Sequence, residues 1–232
     1  MKKILLMFFA FTMVLYIAGC GAKEEENTPN NDNQNQTENN GNNESNNDSK
    51  EITVEDVMNA PENPESDFDF VPSGDGEAEI AGYNGDSDIV VIPETWRGLK
   101  ITKIKSYVFG SNSTVKAIKI PDSVTLIDQF AFALNENLEV VIFGSGVREI
   151  GNYAFQSCVN LREMILNDGL EKIGEISIGD CQSLKRLVIP ESVIDINVGA
   201  FYACPEDFVM VGKAGSAAET YAKENDITFE AN

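Results

Sequence analysis

The chain of 232 residues contains no histidine. Histidine is the commonest general base of enzymes and the commonest metal ligand of proteins, so its absence argues against most hydrolytic and metal-dependent chemistry. The sequence also lacks a P-loop, a dinucleotide fingerprint, a zinc-ligand pattern and a nucleophile elbow. Its many carboxylates could serve a glycosidase, but they are spread through loops without cleft-forming elements. We therefore predict no enzyme, no cofactor and no metal, with a hydrolase as the least favoured alternative.

Basic residues are scarce, with 17 lysines and arginines against 38 aspartates and glutamates and a net charge of −21. Cleavage before residue 20 would remove two lysines and leave 15 − 38 = −23. A chain of this charge repels phosphate backbones and anionic membrane surfaces, so we predict no nucleic-acid partner. Solubility explains the charge, and a specific cationic partner is the alternative.

Long hydrophobic runs are limited to residues 4–18, which follow Lys2 and Lys3. This pattern is typical of a secretory signal, with a retained transmembrane helix as the competing interpretation. Residues 17–20, Ile-Ala-Gly-Cys, resemble the bacterial lipobox. The resemblance implies cleavage just before Cys20 and acylation of its sulfur. It predicts an extracytoplasmic protein, held by lipid at the bacterial cell membrane or cell surface.

Composition divides the chain into four parts. Residues 1–19 are the predicted lipoprotein signal peptide. Residues 20–50 contain the lipidated cysteine and an asparagine-rich tether, which buries too little apolar area to fold and is predicted to be disordered. Residues 51–66 are a short pre-domain segment with one or two helical turns that prolines end. Residues 67–232 are the predicted repeat domain with its caps.

The repeat domain shows a period of 23 residues. The step relates two sets of large apolar residues, which are Ile104, Ile127, Ile150, Ile173 and Ile196, and Phe109, Phe132, Phe155, Ile178 and Phe201. A period in this range is typical of a leucine-rich solenoid, in which each unit buries its apolar face against its neighbours. We predict about five such repeats.

Two segments carry a more specific resemblance. Residues 147–166, VREIGNYAFQSCVNLREMIL, and residues 189–204, IPESVIDINVGAFYAC, resemble the BspA-like, Treponema-type leucine-rich repeats of bacterial surface proteins. The resemblance implies an α/β repeat solenoid, wound as a short right-handed coil with a cap at each end. It also implies adhesion to host or bacterial macromolecules, although a fold alone does not identify a ligand.

Local chemistry predicts both caps. At the N-terminal end, a β-meander from Phe68 has turns at residues 74–76 and 84–85. At the other end, Ser216 is a candidate N-cap for a helix that runs to about Asn225. Both caps would cover core that a bare terminal coil exposes.

The same step relates Cys158, Cys181 and Cys204, and it places Asn112 and Asn135 earlier in their column. Buried free thiols that pack as small hydrophobic groups are one interpretation. Adjacent coils are also close enough for one disulfide, so the two alternatives stay open.

Candidate binding residues lie on the outward side of the repeat strands, where residues alternate between core and surface. This apolar ribbon is either a partner-binding face or a product of the preference of strands for β-branched residues. The candidate residues are Lys119, Val140, Ile142, Glu163, Ile165, Arg186, Val188 and Val211.

A second candidate surface is aromatic. It consists of Trp96, Tyr107, Phe130 and Tyr153. The last three are 23 residues apart and could contact a glycan or a protein, or could pack over the edge of the coils. The leading hypothesis is therefore a lipid-anchored binding module for a protein or glycan ligand. The alternative is a structural envelope lipoprotein with no external ligand.

Overall fold

The structure, a computed structural model, describes residues 51–232. Residues 1–50 lie outside the described residues. They include the predicted signal peptide, the lipid-attachment residue Cys20 and the tether. The helices and strands are, in chain order, α1 (Val54–Asn59), a 3-10 helix (Glu65–Asp67), β1 (Phe68–Gly74), β2 (Glu77–Tyr83), β3 (Ile89–Val91), β4 (Thr95–Trp96), β5 (Leu99–Ile104), β6 (Ala117–Lys119), β7 (Leu126–Ile127), β8 (Val140–Ile142), β9 (Glu149–Ile150), β10 (Glu163–Ile165), β11 (Lys172–Ile173), β12 (Arg186–Val188), β13 (Asp195–Ile196), β14 (Val209–Gly212), α2 (Ala217–Glu224) and β15 (Thr228–Ala231).

The strands form the walls of a solenoid. One wall is an eight-stranded sheet in the order β1-β2-β5-β7-β9-β11-β13, with β4 also paired to β5. The other wall consists of a four-stranded sheet, β10-β8-β6-β3, and a three-stranded sheet, β12-β14-β15. Successive repeats pair in parallel at the 23-residue step, as Ile127 with Ile150 and Val140 with Glu163. The predicted solenoid is confirmed.

The periodic residues fill the interior. Phe109 stacks on Phe132 at 4.9 Å between ring centroids, and Phe132 stacks on Phe155 at 4.7 Å. Ile178 continues this column and is fully buried. Phe208 is also buried and fills the core where the leucine column reaches Asp207. The 23-residue period therefore reflects one continuous core, to which each coil contributes the same positions.

Each coil turns through backbone that L-residues rarely adopt. Two positions per coil have positive φ, and the non-glycine members include Tyr107, Ser111, Phe130, Leu134, Tyr153, Ser157, Ile176, Asp180 and Ala203. Such residues are uncommon outside glycine and persist where surrounding contacts hold them. Here the stacked neighbours in adjacent coils provide those contacts, and Gly199 occupies the position in the last coil, at φ 65°.

The N-terminal cap differs from the predicted meander in its third strand. β1 and β2 form the expected antiparallel hairpin, in which Phe68 pairs with Tyr83. β3 instead pairs in parallel with β6 on the other wall, and β2 pairs in parallel with β5. The chain crosses between walls at residues 84–88, as every coil must, so β2 acts as the first strand of the stack.

The C-terminal cap agrees with the prediction. The side chain of Ser216 accepts a hydrogen bond from the backbone N–H of Glu219, and Asn225 is the C-cap of α2. Tyr221 and Ala222 are buried on the last coil, and Tyr221 meets the ring of Phe201 edge-on at 5.8 Å. The helix thus covers core that would otherwise face water.

The three cysteines of the column are free thiols. The Sγ of Cys158 donates to the backbone oxygen of Phe132 at 3.3 Å, and Cys181 donates to Phe155 in the same way at 3.4 Å. Both side chains are fully buried, and burial raises the pKa of the Cys158 thiol to about 12. They pack as small core residues and are poor nucleophiles, because the reactive form of cysteine is the thiolate.

Candidate interaction surface

The predicted strand face is divided between two sheets. Lys119, Ile142 and Ile165 pair in one sheet, and Val188 and Val211 pair in the other. Between them, Met164 and Leu187 point inward and are buried. The alternation that sequence predicts is therefore correct for these strands.

The first half of this face is covered by the chain's own N-terminal segment. We call residues 51–60 the strap. α1, inside the strap, packs against β3, β6 and β8, and its Val57 is fully buried there. Val57 forms a separate apolar cluster with Ala117, Val140 and Ile142. These outward positions are thus part of a second small core.

Several residues of the strand face that the sequence predicts to be exposed are buried. Val140 is fully buried and Ile142 is 7% exposed, because apolar side chains of the strap cover them. Val211 is only 3% exposed; it lies in β14, the central strand of its sheet, against which α2 also packs. These three residues stabilise the fold, and Lys119 is half-buried at the edge of the strap.

Two features hold the strap in place. The side chain of Thr53 and that of Asp56 form a capping box at the start of α1. Arg162 donates to the backbone oxygen of Ile52 and forms ion pairs with Glu51 at 2.9 Å and Glu139 at 3.3 Å. Beyond the strap, Asn63 and Val91 exchange hydrogen bonds at 2.9 and 3.0 Å.

The uncovered remainder is a smaller surface. We call Glu163, Ile165, Arg186 and Val188 the open strand face. Ile165 is 40% exposed and Val188 is 50% exposed, although both are apolar. Arg186 forms an ion pair with Glu230 of β15, two strands away. Sequence reasoning missed Glu230, because its strand pairs beyond the last regular repeat.

The aromatic column consists of rings that stack on each other. Tyr107 and Phe130 lie 5.1 Å apart with 4° between their planes, and Phe130 and Tyr153 lie 4.9 Å apart with 5°. The faces of the central ring are therefore occupied, and the outer face of Tyr107 stays open on a largely exposed residue. A sugar that stacks on an aromatic ring needs a free face, so this column is poorly suited to glycan binding along its length.

Trp96 is held inside the N-terminal cap. Its ring stacks on Phe70 at 5.3 Å, and the guanidinium of Arg97 lies 4.9 Å from its centroid. The side chain is half-buried. The structure therefore places it away from the open strand face and from the aromatic column, as a residue that joins β4 to β1.

No group of three or more cysteine, aspartate and glutamate side chains within residues 51–232 is placed to hold a metal ion. In that same range, no helix is long and apolar enough to cross a membrane. The three described thiols are buried or half-buried, with raised pKa values.

Comparisons with known proteins agree with this architecture. A family model described as the BspA type leucine-rich repeat region matches residues 91–214 in six copies. A crystal structure of a T. pallidum leucine-rich repeat protein has a TM-score of 0.63 and 29% identity, and covers 65% of this chain and 71% of that chain. A leucine-rich cell surface protein of Faecalibacterium prausnitzii has a TM-score of 0.47 and 23% identity, covering 67% and 52% respectively. No curated protein matches the chain.

Proposed function

This chain belongs to the BspA-type leucine-rich repeat family, and on that premise we propose that it is a lipid-anchored binding module of the bacterial cell surface. Membership supports a scaffold for protein–protein interaction. The open strand face would contact the partner, Cys20 would carry the lipid, and the solenoid would serve adhesion to host or bacterial macromolecules. These three assignments are the proposal.

The exposure of Ile165 and Val188 carries the proposal. Both are large apolar residues on a strand face whose other apolar positions are covered by the strap or packed into the sheet. An apolar pair flanked by Glu163 and Arg186 has the composition of a small interface centre with a charged rim. The occupied ring faces of the aromatic column favour a protein partner over a glycan.

Direct binding tests the surface. We would measure capture of the full chain, in detergent, by immobilised host matrix proteins and by whole bacteria. The double variant Glu163→Arg with Arg186→Glu reverses both charges and keeps the net charge, and it should weaken binding at least tenfold. The matched control exchanges the pair Glu149 and Lys172, which lies 3.1 Å apart on the other wall. Equal binding by both variants would contradict the assignment.

Metabolic labelling tests the anchor. Cells that express the chain are labelled with radioactive palmitate, and the protein with Cys20→Ala should lose both the label and its retention in the membrane fraction. Label that persists in this variant would contradict acylation at Cys20. The outcome is independent of the binding test.

A structural envelope role is the second candidate, and the strap favours it. The strap stabilises half of the strand face without any ligand. Under this hypothesis the full chain would bind no matrix protein or bacterium at micromolar concentration. Deletion of the gene would instead change envelope integrity, measured as sensitivity to detergent.

A further inference from the structure

At one corner of each coil, a backbone N–H donates a hydrogen bond to the next coil. The donors occupy one column at positive φ, and each reaches a carbonyl oxygen 22 residues later. The pairs are Ser111 to Ala133 at 2.8 Å, Leu134 to Gln156 at 2.8 Å, Ser157 to Gly179 at 2.8 Å and Asp180 to Tyr202 at 2.7 Å. The regular stack thus satisfies this donor in four successive coils.

Ala203 is the last member of this column. Its φ of 55° is close to the values of 54° to 60° in the earlier coils, so its N–H points where a next coil would lie. After β14 the chain continues as α2 instead of a further regular coil, and no acceptor among residues 51–232 pairs with this N–H. It is a backbone donor presented to the end of the stack.

The neighbouring column ends differently. The N–H groups of Phe132, Phe155 and Ile178 donate to the next coil at 2.7 to 2.9 Å. At Phe201, the next residue of this column, the hydroxyl of Tyr221 in α2 lies beside the backbone. Burial raises the pKa of Tyr221, and hydrogen bonds from the backbone of Phe201 and Ala200 oppose the rise. The helix thus brings a hydroxyl group to the backbone at the end of this column, whereas no side chain of the helix pairs with the Ala203 N–H.

A cavity of about 320 Å³ lies at the C-terminal end of the stacked coils, between residues 199–208 and residues 225–228. Phe201, Phe208 and Tyr221 line it and are buried, which makes part of its wall aromatic. Glu206 and Asp226 also line it and are exposed. Neither carboxylate takes part in an ion pair with any described residue. Its volume lies within the range of small ligand sites.

We propose that this cavity binds one basic residue of an extended peptide from a partner protein. The peptide's carbonyl oxygen accepts the hydrogen bond of Ala203 N–H, as the carbonyl of a next coil would. The aliphatic part of the basic side chain packs on the aromatic wall, and its charged end reaches Glu206 and Asp226. This end-on site is separate from the open strand face and does not depend on it.

Charge selects the partner. The chain has a net charge of −21, so a second copy is repelled over long range, whereas a cationic segment is attracted. The site needs a carbonyl acceptor and a cation at once, a combination that a lysine or arginine residue in a peptide supplies. A free anion would meet two carboxylates at the rim.

Titration of alanine-labelled full chain, in detergent, with a short probe tests the site. The probe is acetyl-Gly-Ser-Arg-Ser-Gly amide, and its matched control carries neutral citrulline in place of arginine. We expect the ¹⁵N–¹H signal of Ala203, assigned from an Ala203→Gly variant, to shift on addition of the arginine peptide. The arginine peptide should bind at least about tenfold more tightly than the citrulline peptide.

The double variant Glu206→Gln with Asp226→Asn should remove this preference, because both carboxylates become neutral while the cavity keeps its shape. The control Glu62→Gln with Asp75→Asn makes the same change of charge on exposed residues of the N-terminal part and should leave binding unaltered. Equal affinity for the two peptides, or an unmoved Ala203 signal, would overturn the proposal. If the unaltered chain self-associates and this double variant does not, the cavity binds a second copy of the chain. That result would also overturn the proposal.

Discussion

The guanidinium of Arg162 donates a hydrogen bond to the backbone oxygen of Ile52, 110 residues earlier in the chain. This contact ties the strap to the middle of the solenoid. It determines how much of the strand face is open, because α1 lies over β6 and β8 only while the strap stays docked. The boundary between fold and candidate interface therefore depends on Arg162 together with the apolar contacts of the strap.

Replacing Arg162 by glutamine should release the strap. The change removes the ion pairs to Glu51 and Glu139 and leaves the strap held mainly by its apolar contacts. Because the arginine side chain is largely buried, we expect protection of the strap amides against hydrogen exchange to fall at least about tenfold. The control Arg148→Gln removes hydrogen bonds to loop carbonyls away from the strap. Unchanged protection in Arg162→Gln would contradict the clamp.

Val57→Ala tests the apolar part of the same contact. Val57 is fully buried under the strand face, and loss of two buried methyl groups should weaken docking of the strap by about 1–2 kcal/mol. Met58→Ala, the next residue, removes a side chain that is half-exposed and should have little effect. Hydrogen exchange of the amides of α1 measures both. Similar losses in the two variants would mean that helix propensity, and not burial, holds the strap.

Asn135→Cys should stabilise the protein. Asn135 is fully buried, and neither its amide nitrogen nor its amide oxygen has a hydrogen-bond partner. The next coils carry cysteine at this place, and the thiol avoids burial of an unsatisfied amide, so we expect the free energy of unfolding to rise by about 1–2 kcal/mol. Urea denaturation with a constant slope measures it.

Asn112→Cys is the matched control for that prediction. Asn112 occupies the same column, but its amide oxygen accepts hydrogen bonds from the backbone N–H of Thr114 at 2.9 Å and of Val115 at 2.8 Å. Its replacement leaves these donors without the acceptor and should lower stability by about 1 kcal/mol. A change of the same sign in both variants would contradict this account of the column.

Alkaline pH should destabilise the fold through the buried thiols. Burial raises the pKa of Cys158 from 9.0 to about 12. The unfolded thiol therefore loses its proton above pH 9 while the folded thiol keeps it, so stability is complete below pH 9 and falls as the pH rises toward 12. The fall should be about 1.4 kcal/mol per pH unit for this group. Cys158→Ala should reduce the slope, whereas Val147→Ala should lower stability at every pH without altering it.

Much of the fold follows from the sequence because a solenoid repeats its core. The isoleucine and phenylalanine columns recur every 23 residues, and all their members before the last coil are buried. The C-terminal cap is equally local, since the Ser216 side chain accepts a hydrogen bond from the Glu219 backbone N–H at the start of α2. Ile178 shows that the column tolerates an aliphatic substitute of comparable bulk.

The candidate surface was less predictable. Alternation correctly separates Val188, outside, from Leu187, inside, yet it assigns Val140 and Ile165 to the same outward side. Val140 is buried and Ile165 is exposed, because one lies under the strap and the other beyond its reach. The alternation within a strand does not predict which distant segment of the chain will cover it. The third strand of the N-terminal cap, β3, was also not predictable in this way. The turn residues before a strand do not indicate which wall of the solenoid the strand joins.

The sequence by itself determined the period, the core and the capping helix, because these depend on contacts between neighbouring coils that carry the same residues. Only the tertiary structure decided where the stack ends and what its ends leave unpaired. The strap docks through a contact spanning 110 residues, and the Ala203 N–H has no partner among residues 51–232 because α2, and not a further regular coil, follows β14. A repeat specifies its own continuation, whereas covering a face or ending a stack depends on residues that do not repeat.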